Sequence, residues 1–554
     1  MVVLDVLVIG GGPHALTLAS LLSAPETDTS ADCEHDPLLT SCTLEPQRCL
    51  LKPEPSNNKE QQSKLSMQEC VCPSLRFQVV DTYGDWAALW ESQFAALSIP
   101  HLRSHALVHT DPLKKTALQE FVVKHERSEE LHTLPDRVYI LDKNTFFNDM
   151  RLGKKEKKRL HLPSTLKKSL AFSLPGTKLS VDFFKDQVRR YKLDKVLVKD
   201  TVENIIPVTK RVKYFKVQLQ EGGVVKVHHV VIATGPTRAQ MANIPSWVQN
   251  IGESYPEESL QHTVHLMHWQ PKSKQKLEGT NGQHSKETFS NQVCEAGQRV
   301  MVVGGGLTSA HVVSVALQQG ASHVTWVMRK HLQLKQFDVG DVESLVGRYS
   351  HVEHGIKMDG QAYLRQFYTE RSLHKRLAMI RQARKGGAVT PEAYIQLQPF
   401  ILSGQVEVKT YCQVLLKARW CYKDQAWSLS LSTGDCWTGD RIWLATGCKL
   451  DVNQDPLLTE VMKEFPIQVL DGWPCITENL KWTEGCPLYL MGQYAALQIG
   501  PHAVNLAGGQ AASMRIAEDI LQCKLQSSRE PSDLRGSKSK TEDYIKQMQG
   551  LLWL

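Results

Sequence analysis

Residues Val2–Ala15 read VVLDVLVIGGGPHA. A valine- and leucine-rich run, interrupted by Asp5, passes directly into three glycines, and the helix-like segment His14–Leu22 follows. Such near-continuous apolar composition suits a parallel strand buried on both faces. Strand, G-x-G-x-x-A turn and helix in this order make a seat for a dinucleotide pyrophosphate. Gly10 permits the tight turn, Gly12 lets the phosphates approach the backbone, and Ala15 lets helix and strand pack closely. The N-terminus of the following helix supplies N–H groups and positive potential to the phosphates.

In this motif an acid follows the turn by about 20 residues and holds a ribose hydroxyl. The next strand-like run, Leu75–Asp81 (LRFQVVD), does end in an acid, but some 70 residues downstream. The intervening stretch, about 24–73, is rich in Glu, Asp, Ser, Thr, Gln and Pro without a sustained period, and reads as a disordered insertion. Excising it restores the spacing and assigns Asp81 to the ribose.

The plan recurs in the middle of the chain. Arg299–Val303 (RVMVV) leads into Gly304-Gly305-Gly306-Leu307-Thr308-Ser309, with Ser309 in the third small position. The following strand, His323–Met328, runs into Arg329-Lys330 where an acid would select NAD. A guanidinium there accommodates the 2′-phosphate of NADP, so the second turn is assigned to NADPH. Each turn is followed by an Ala-Thr-Gly strand end, Ala233–Gly235 and Ala445–Gly447. Two dinucleotide motifs in one chain imply hydride transfer between nicotinamide and flavin.

Composition fits this reading. The chain has 554 residues, enough for several domains, with 42% hydrophobic and 22% charged residues and a formal charge of +7. The basic excess is concentrated in Gly153–Lys168, which reads as a solvated face and not as a nucleic-acid surface. No apolar run is long enough to span a membrane. The N-terminal segment has neither the basic leader nor the cleavage site of a secretory signal. Thirteen cysteines without such a signal point to reduced thiols and a cytoplasmic location. Cys70-Val-Cys72 lacks the spacer of a redox pair, and no metal site is expected.

The turn GGGPHA, the second turn GGGLTS and the two ATG strands follow the plan of two-dinucleotide-binding-domain flavoproteins. Trp90–Pro112 (WESQFAALSIPHLRSHALVHTDP), Phe337–Tyr349 (FDVGDVESLVGRY) and Leu488–Ala511 add a resemblance to class B flavin monooxygenases, in particular the lysine/ornithine N-hydroxylase-like branch. The resemblance implies FAD held by Gly10, Gly12, Pro13, Ala15 and Asp81, with Trp90, Thr234, Gly235, Thr446 and Gly447 near the cofactors. It places Gly492 and Gln493 by the ribityl and pyrophosphate, Gln493 standing where many relatives carry an acid. Gly500-Pro501 would begin a helix aimed at the flavin. Gly304, Gly306, Ser309, Arg329 and Lys330 would hold NADPH. The implied reaction is NADPH-dependent monooxygenation of a small molecule by O2 through a flavin hydroperoxide, with an amine nitrogen as one acceptor.

His101, Arg103 and His105 are the densest titratable cluster near the flavin loop. They are weak catalytic candidates, either ordering the flavin or binding an acidic substrate, or else ordinary loop polarity. His262 and His265 resemble a histidine-containing turn between the two domains of relatives. The expected fold is α/β, with two Rossmann-like domains and the NADP domain inserted into the FAD domain. Residues 1–268 form the first part of the FAD domain, 293–440 the NADP domain with a helical segment, 441–525 the remainder of the FAD domain, and 526–554 a mobile tail. Two alternatives stay open: a flavin-binding regulatory or scaffolding protein with little turnover, and an NADPH oxidase or reductase.

Overall fold

The computed structural model describes residues 3–23, 75–132, 173–208, 214–235, 240–267, 292–334, 350–353, 356–384, 387–415 and 418–528. The insertion at 24–73, the basic run 153–168, nearly all of the 270–292 loop, Phe337–Tyr349 and the tail past Ser528 lie outside the described residues.

The first glycine turn joins β1 (Leu4–Ile9) to α1 (Pro13–Leu22), and the chain continues through β2 (Phe77–Asp81) and α2 (Ala88–Ala96). Then come α3 (Thr177–Arg190), β3 (Leu197–Lys199), β4 (Val202–Val208), β5 (Tyr214–Leu219) and β6 (Val224–Ile232). The second unit contains β7 (Leu260–His262), β8 (Arg299–Val303), α4 (Leu307–Gln318) and β9 (His323–Val327). It is followed by α5 (Gly360–Thr369), α6 (Leu373–Ala383), α7 (Pro391–Leu402), β10 (Val406–Lys409) and β11 (Arg441–Leu444). Near the C-terminal end lie β12 (Lys481–Thr483), β13 (Cys486–Leu490) and α8 (Leu506–Ser528).

The larger sheet runs β12-β13-β6-β1-β2-β3, with β5 and β4 added beside β6. Its five adjacent strands from β13 to β3 are parallel: Val8 pairs with both Val79 and Val231, and Leu490 pairs with Ile232. Val6, Val8, Val79, Val230 and Tyr489 are completely buried, which is what valine-rich strands covered on both faces require. The second sheet, β7-β11-β8-β9-β10, is parallel throughout. Two Rossmann-like sheets are therefore present, the second contributed by the middle of the chain, as the glycine turns imply.

Strands β7 and β11 sit in the second sheet, so the unit boundaries differ from those read in the sequence. The sequence groups Leu260–His262 with 1–268 and Arg441–Leu444 with 441–525; hydrogen-bonded pairing places β11 beside β8 and β7 beside β11. The helical segment moves the other way. Tyr363, Leu364, Phe367, Leu377 and Ile380 pack into the core of the larger sheet. Buried Arg376 donates from Nη1 to Gln498 Oε1 at 2.6 Å and to the Leu497 carbonyl at 3.2 Å. That pairing ties α6 to the C-terminal part of the first unit.

Helices α1 and α8 cross closely. A Cβ at Gly509 would overlap the His14 ring, and His14 Nε2 donates to the Asn505 carbonyl at 2.9 Å. Burial lowers the His14 pKa, which favours the neutral ring. Asp519 of α8 fastens the sheet edge: its Oδ2 accepts from Lys481 Nζ at 2.7 Å and Tyr489 OH at 2.6 Å, and its Oδ1 from Asn479 Nδ2 at 2.9 Å.

Candidate functional site

Across the carboxyl ends of β3, β2, β1, β6 and β13 runs a cavity of about 720 Å³. Its lining follows the strand order: Asp200 and Thr201 after β3, Asp81 at the end of β2, Gly10–Pro13 after β1, Ala233–Gly235 after β6, and Met491–Gln493 after β13. The crevice outside the carboxyl ends of parallel strands is the general location of ligands in open α/β sheets.

The glycine turn has the geometry a pyrophosphate needs. Gly10 has φ +102°, and a Cβ on it would stand 2.7 Å from the Ala233 carbonyl oxygen. Gly12, by contrast, caps α1 with extended backbone, and a Cβ on it would meet nothing within 4 Å. The first position is closed by protein and the third is open to a ligand. Asp81 stands beside the turn. Its Oδ2 accepts from Gly11 N at 2.8 Å, and its Oδ1 from Tyr83 N at 2.8 Å and Gly84 N at 3.2 Å. A carboxylate offers about four lone-pair sites, so accepting capacity remains for a ribose hydroxyl. Ala15 is fully buried behind the turn.

Trp90 also lines the cavity, its ring stacked on Phe94 with centroids 3.8 Å apart and edge-on to Phe184. Gly500 and Pro501 occupy a different place from the one expected. Helix α8 starts at Leu506, and it is Val504, Asn505 and Leu506 that reach the cavity. Gly500, with φ +110°, ends the short helix 496–499, and the Pro501 carbonyl accepts from Arg384 Nε at 3.1 Å.

The sequence reading missed Arg384, Asp455 and Tyr494. Arg384 follows α6 and reaches the cavity from a helical segment that had been grouped with the second unit. Asp455 accepts from Leu457 N at 3.1 Å and from Tyr494 OH at 2.6 Å. The Asp455-Pro456 pair, a turn-forming dipeptide, was the signal available for it.

The second turn follows the same plan with different surroundings. Gly304 has φ +148°, and a Cβ there would overlap the Ala445 carbonyl. Ser309 is completely buried: its Oγ donates to the Gly306 carbonyl at 2.5 Å and accepts from Trp326 Nε1 at 3.1 Å. It works inside the helix–sheet contact and is not turned to a ligand. Register pairs Ile9 with Val80 and Val303 with Val327, so the residue opposite Gly304 that matches Asp81 is Met328. Its Cβ lies beside Gly305 as that of Asp81 lies beside Gly11. Arg329 and Lys330 follow it and are exposed.

Thr446 and Gly447 mark the crossover between the sheets. Thr446 Oγ1 donates to the Asn243 carbonyl at 2.5 Å, and Asn243 N donates to the Gly447 carbonyl at 2.9 Å. His262 lies in β7 with its pKa lowered by burial, and Val264 N donates to its Nδ1 at 3.1 Å.

A smaller cavity of about 160 Å³ lies at the start of α4, where Leu307, Thr308 and His311 face Leu97, His101 and Thr390. Phe94 and Arg103 border both cavities. The histidine cluster is therefore divided: His101 lines the small cavity, Arg103 stands in the wall between the two, and His105 is fully buried. Burial, with a contribution from His101, holds the His311 imidazole down to about 4. Burial and the His132 ring 4.6 Å away lower that of His101. Among the described residues no group of three His, Cys, Asp or Glu is arranged to hold a metal, and no helix is long and apolar enough to cross a membrane.

Comparison with solved structures settles the architecture. An ornithine N-hydroxylase from Kutzneria sp. 744, in a structure with reduced FAD, NADP+ and L-ornithine, matches 94% of this chain and 100% of its own, with a TM-score of 0.58 and 14% identity. The fold is that of the class B flavin monooxygenases. Ornithine hydroxylase PvdA from Pseudomonas aeruginosa, in its reduced form, gives a TM-score of 0.55 at 13% identity over 94% and 99% of the two chains. The family model for pyridine nucleotide-disulphide oxidoreductases matches residues 123–382, a span that contains the second glycine turn and not the first. No curated protein matches the sequence.

Proposed function

We propose that the protein is an FAD- and NADPH-dependent oxidoreductase that monooxygenates a small molecule with O2, an amine nitrogen being the favoured acceptor. The observation that carries this reading is the 720 Å³ cavity along five parallel strand ends, floored by an open glycine at position 12. Its volume lies within the roughly 300–1,000 Å³ of small-molecule and cofactor sites.

Gly10–Gly12 and the first turn of α1 would hold the pyrophosphate, and Asp81 the ribose. Thr234, Gly235, Gly492 and Gln493 would flank the remainder. Bound FAD supplies two-electron chemistry between a nicotinamide and dioxygen. The chain's own contribution is orientation and exclusion of water. Trp90, Phe94 and Leu102 present apolar surface to the cavity, and Arg103 places a cation at the wall it shares with the smaller cavity. The smaller cavity, with His101 and Arg103 in its lining, is the proposed access for substrate. The eight described cysteines stand outside disulfides, in keeping with the proposed cytoplasmic location.

The test is the absorption spectrum of the purified protein before and after anaerobic NADPH. Flavin bands that NADPH bleaches and air restores are expected, with oxygen incorporated into an added amine. Absence of flavin even after reconstitution would sink the reading. A second reading, a flavin-binding scaffold with little turnover, draws support from the crowded second turn, and flavin bands that NADPH leaves unchanged would favour it.

A further inference from the structure

The two glycine turns differ at one equivalent position. Above Gly12 there is open space. Above Gly306, its counterpart, lies the backbone of Gly387, whose Cα would be 3.9 Å from a Cβ on Gly306. The contact is tighter from the other side: a Cβ on Gly387 would overlap the Gly305 carbonyl carbon and the Gly306 nitrogen. The protein's own main chain thus lies on the peptide that a pyrophosphate approaches in this kind of turn.

The segment that does this is anchored. Ala388 and Val389 pair in parallel with Gln333 and Leu334, just beyond Arg329-Lys330, and Val389 is completely buried. Thr390 caps α7, its Oγ1 accepting from Ala393 N at 3.4 Å. Thr390 and Glu392 then wall the small cavity opposite Leu307 and Thr308 of α4. Among the described residues, the cavity at this helix start is about 160 Å³, against about 720 Å³ at the first turn. A pyrophosphate seated on Gly306 as the first turn seats one on Gly12 would meet the Gly387 backbone.

We propose that the strap Gly387–Thr390 occupies the pyrophosphate seat of the second turn, so that a nicotinamide dinucleotide binds only by displacing it. The inference rests on the assignment of that turn to NADPH. It makes the second site self-closed, with apparent affinity reduced by the fraction of molecules in which the strap has left. An open fraction of about 1–10% weakens binding roughly 10- to 100-fold. Gly387 lies outside the left-handed region, so overlap with the turn, and not backbone strain, is what excludes a side chain there. Gly387→Ala therefore pushes the strap off the turn.

The experiment measures NADP+ binding to the full-length wild type and Gly387→Ala by calorimetry, with the flavin spectrum recorded on the same samples. The expected result is a Kd at least tenfold lower in the variant. An equal or higher Kd in a variant with wild-type melting temperature would overturn the proposal. Hydrogen exchange on the wild type with saturating NADP+ supplies a test that does not depend on the variant folding. Displacement predicts faster exchange at Ala388–Thr390 and slower exchange at Gly305–Ser309. Protection of both segments makes the strap the floor of the nucleotide site and refutes the idea. Binding by neither form removes the nicotinamide assignment, and the strap's role with it, while the flavin spectrum shows separately whether the FAD reading stands.

Discussion

Replacing Gly12 by valine puts branched carbon into the open space above the first turn, and replacing Gly10 by alanine puts carbon where protein already is. The two substitutions separate ligand binding from folding. At Gly12 the backbone is φ −72°, ψ 179°, a conformation valine adopts, and the added Cβ meets nothing within 4 Å. The cost to the flavin-free fold is a weaker helix cap, about 1 kcal/mol. At Gly10, φ +102° costs an alanine roughly 1–2 kcal/mol, and contacts of 2.7 and 2.9 Å with the Ala233 carbonyl add about 1–3 kcal/mol. FAD at 100 times its Kd stabilises a binding-competent fold by about 2.7 kcal/mol. Thermal melts with and without added FAD, together with flavin content, read both effects. Gly12→Val is expected to melt close to the wild type without FAD and to gain nothing from it; Gly10→Ala is expected to melt clearly lower in both conditions. Stoichiometric flavin in Gly12→Val would show that the pyrophosphate lies elsewhere.

Arg329→Ala should narrow the preference for NADPH over NADH by roughly 10- to 100-fold, the worth of a charge-assisted contact to the 2′-phosphate of about 1.5–3 kcal/mol. An unchanged ratio of dissociation constants removes Arg329 from the site. Asp519→Ala leaves Lys481 buried without its carboxylate, and breaking a buried pair costs about 3–5 kcal/mol; a denaturation midpoint equal to the wild type's contradicts this. His311 carries a folded-state pKa of about 4, below the ordinary 6.5, so the unfolded chain takes up its proton first as pH falls. Its contribution to stability is complete above pH 6.5 and is lost between there and pH 4. His311→Gln should therefore lose about 2 kcal/mol less than the wild type between pH 7 and pH 5, and parallel pH–stability curves would disprove the assignment.

The strands beside both glycine turns could be read directly because local composition decides them. LDVLVI and RVMVV are strands buried on both faces, and the glycines follow at once. Asp81 could be found only by setting aside the long polar insertion, after which motif spacing placed it. Ser309 shows the limit of motif reading: the sequence specifies a small residue, but that its hydroxyl is used by Trp326 and Gly306 depends on packing. Met328 was passed over for Arg329 because strand ends are the least certain boundaries, and only register shows which residue faces the turn. The Gly386-Gly387 pair was the available hint of a close backbone approach. What it approaches lies some 80 residues earlier and comes near only through the pairing of 388–389 with 333–334. The helices at 360–383 gave a correct helical signal and no indication of the core they join.

Strand β6 takes β1 on one side and, over its last residues, β13 on the other, so it is the seam at which the two ends of the chain meet. About 250 residues separate Ile232 from its partner Leu490. During synthesis the second sheet can close once β11 emerges, whereas the first still lacks an interior strand until residue 490 has left the ribosome. Non-local pairing of this kind is slow and leaves apolar strand edges open meanwhile. Chains cut short between β11 and β13 should therefore keep a folded middle unit while exposing the flank of β6, and should be recovered as aggregates instead of as flavin-free monomers.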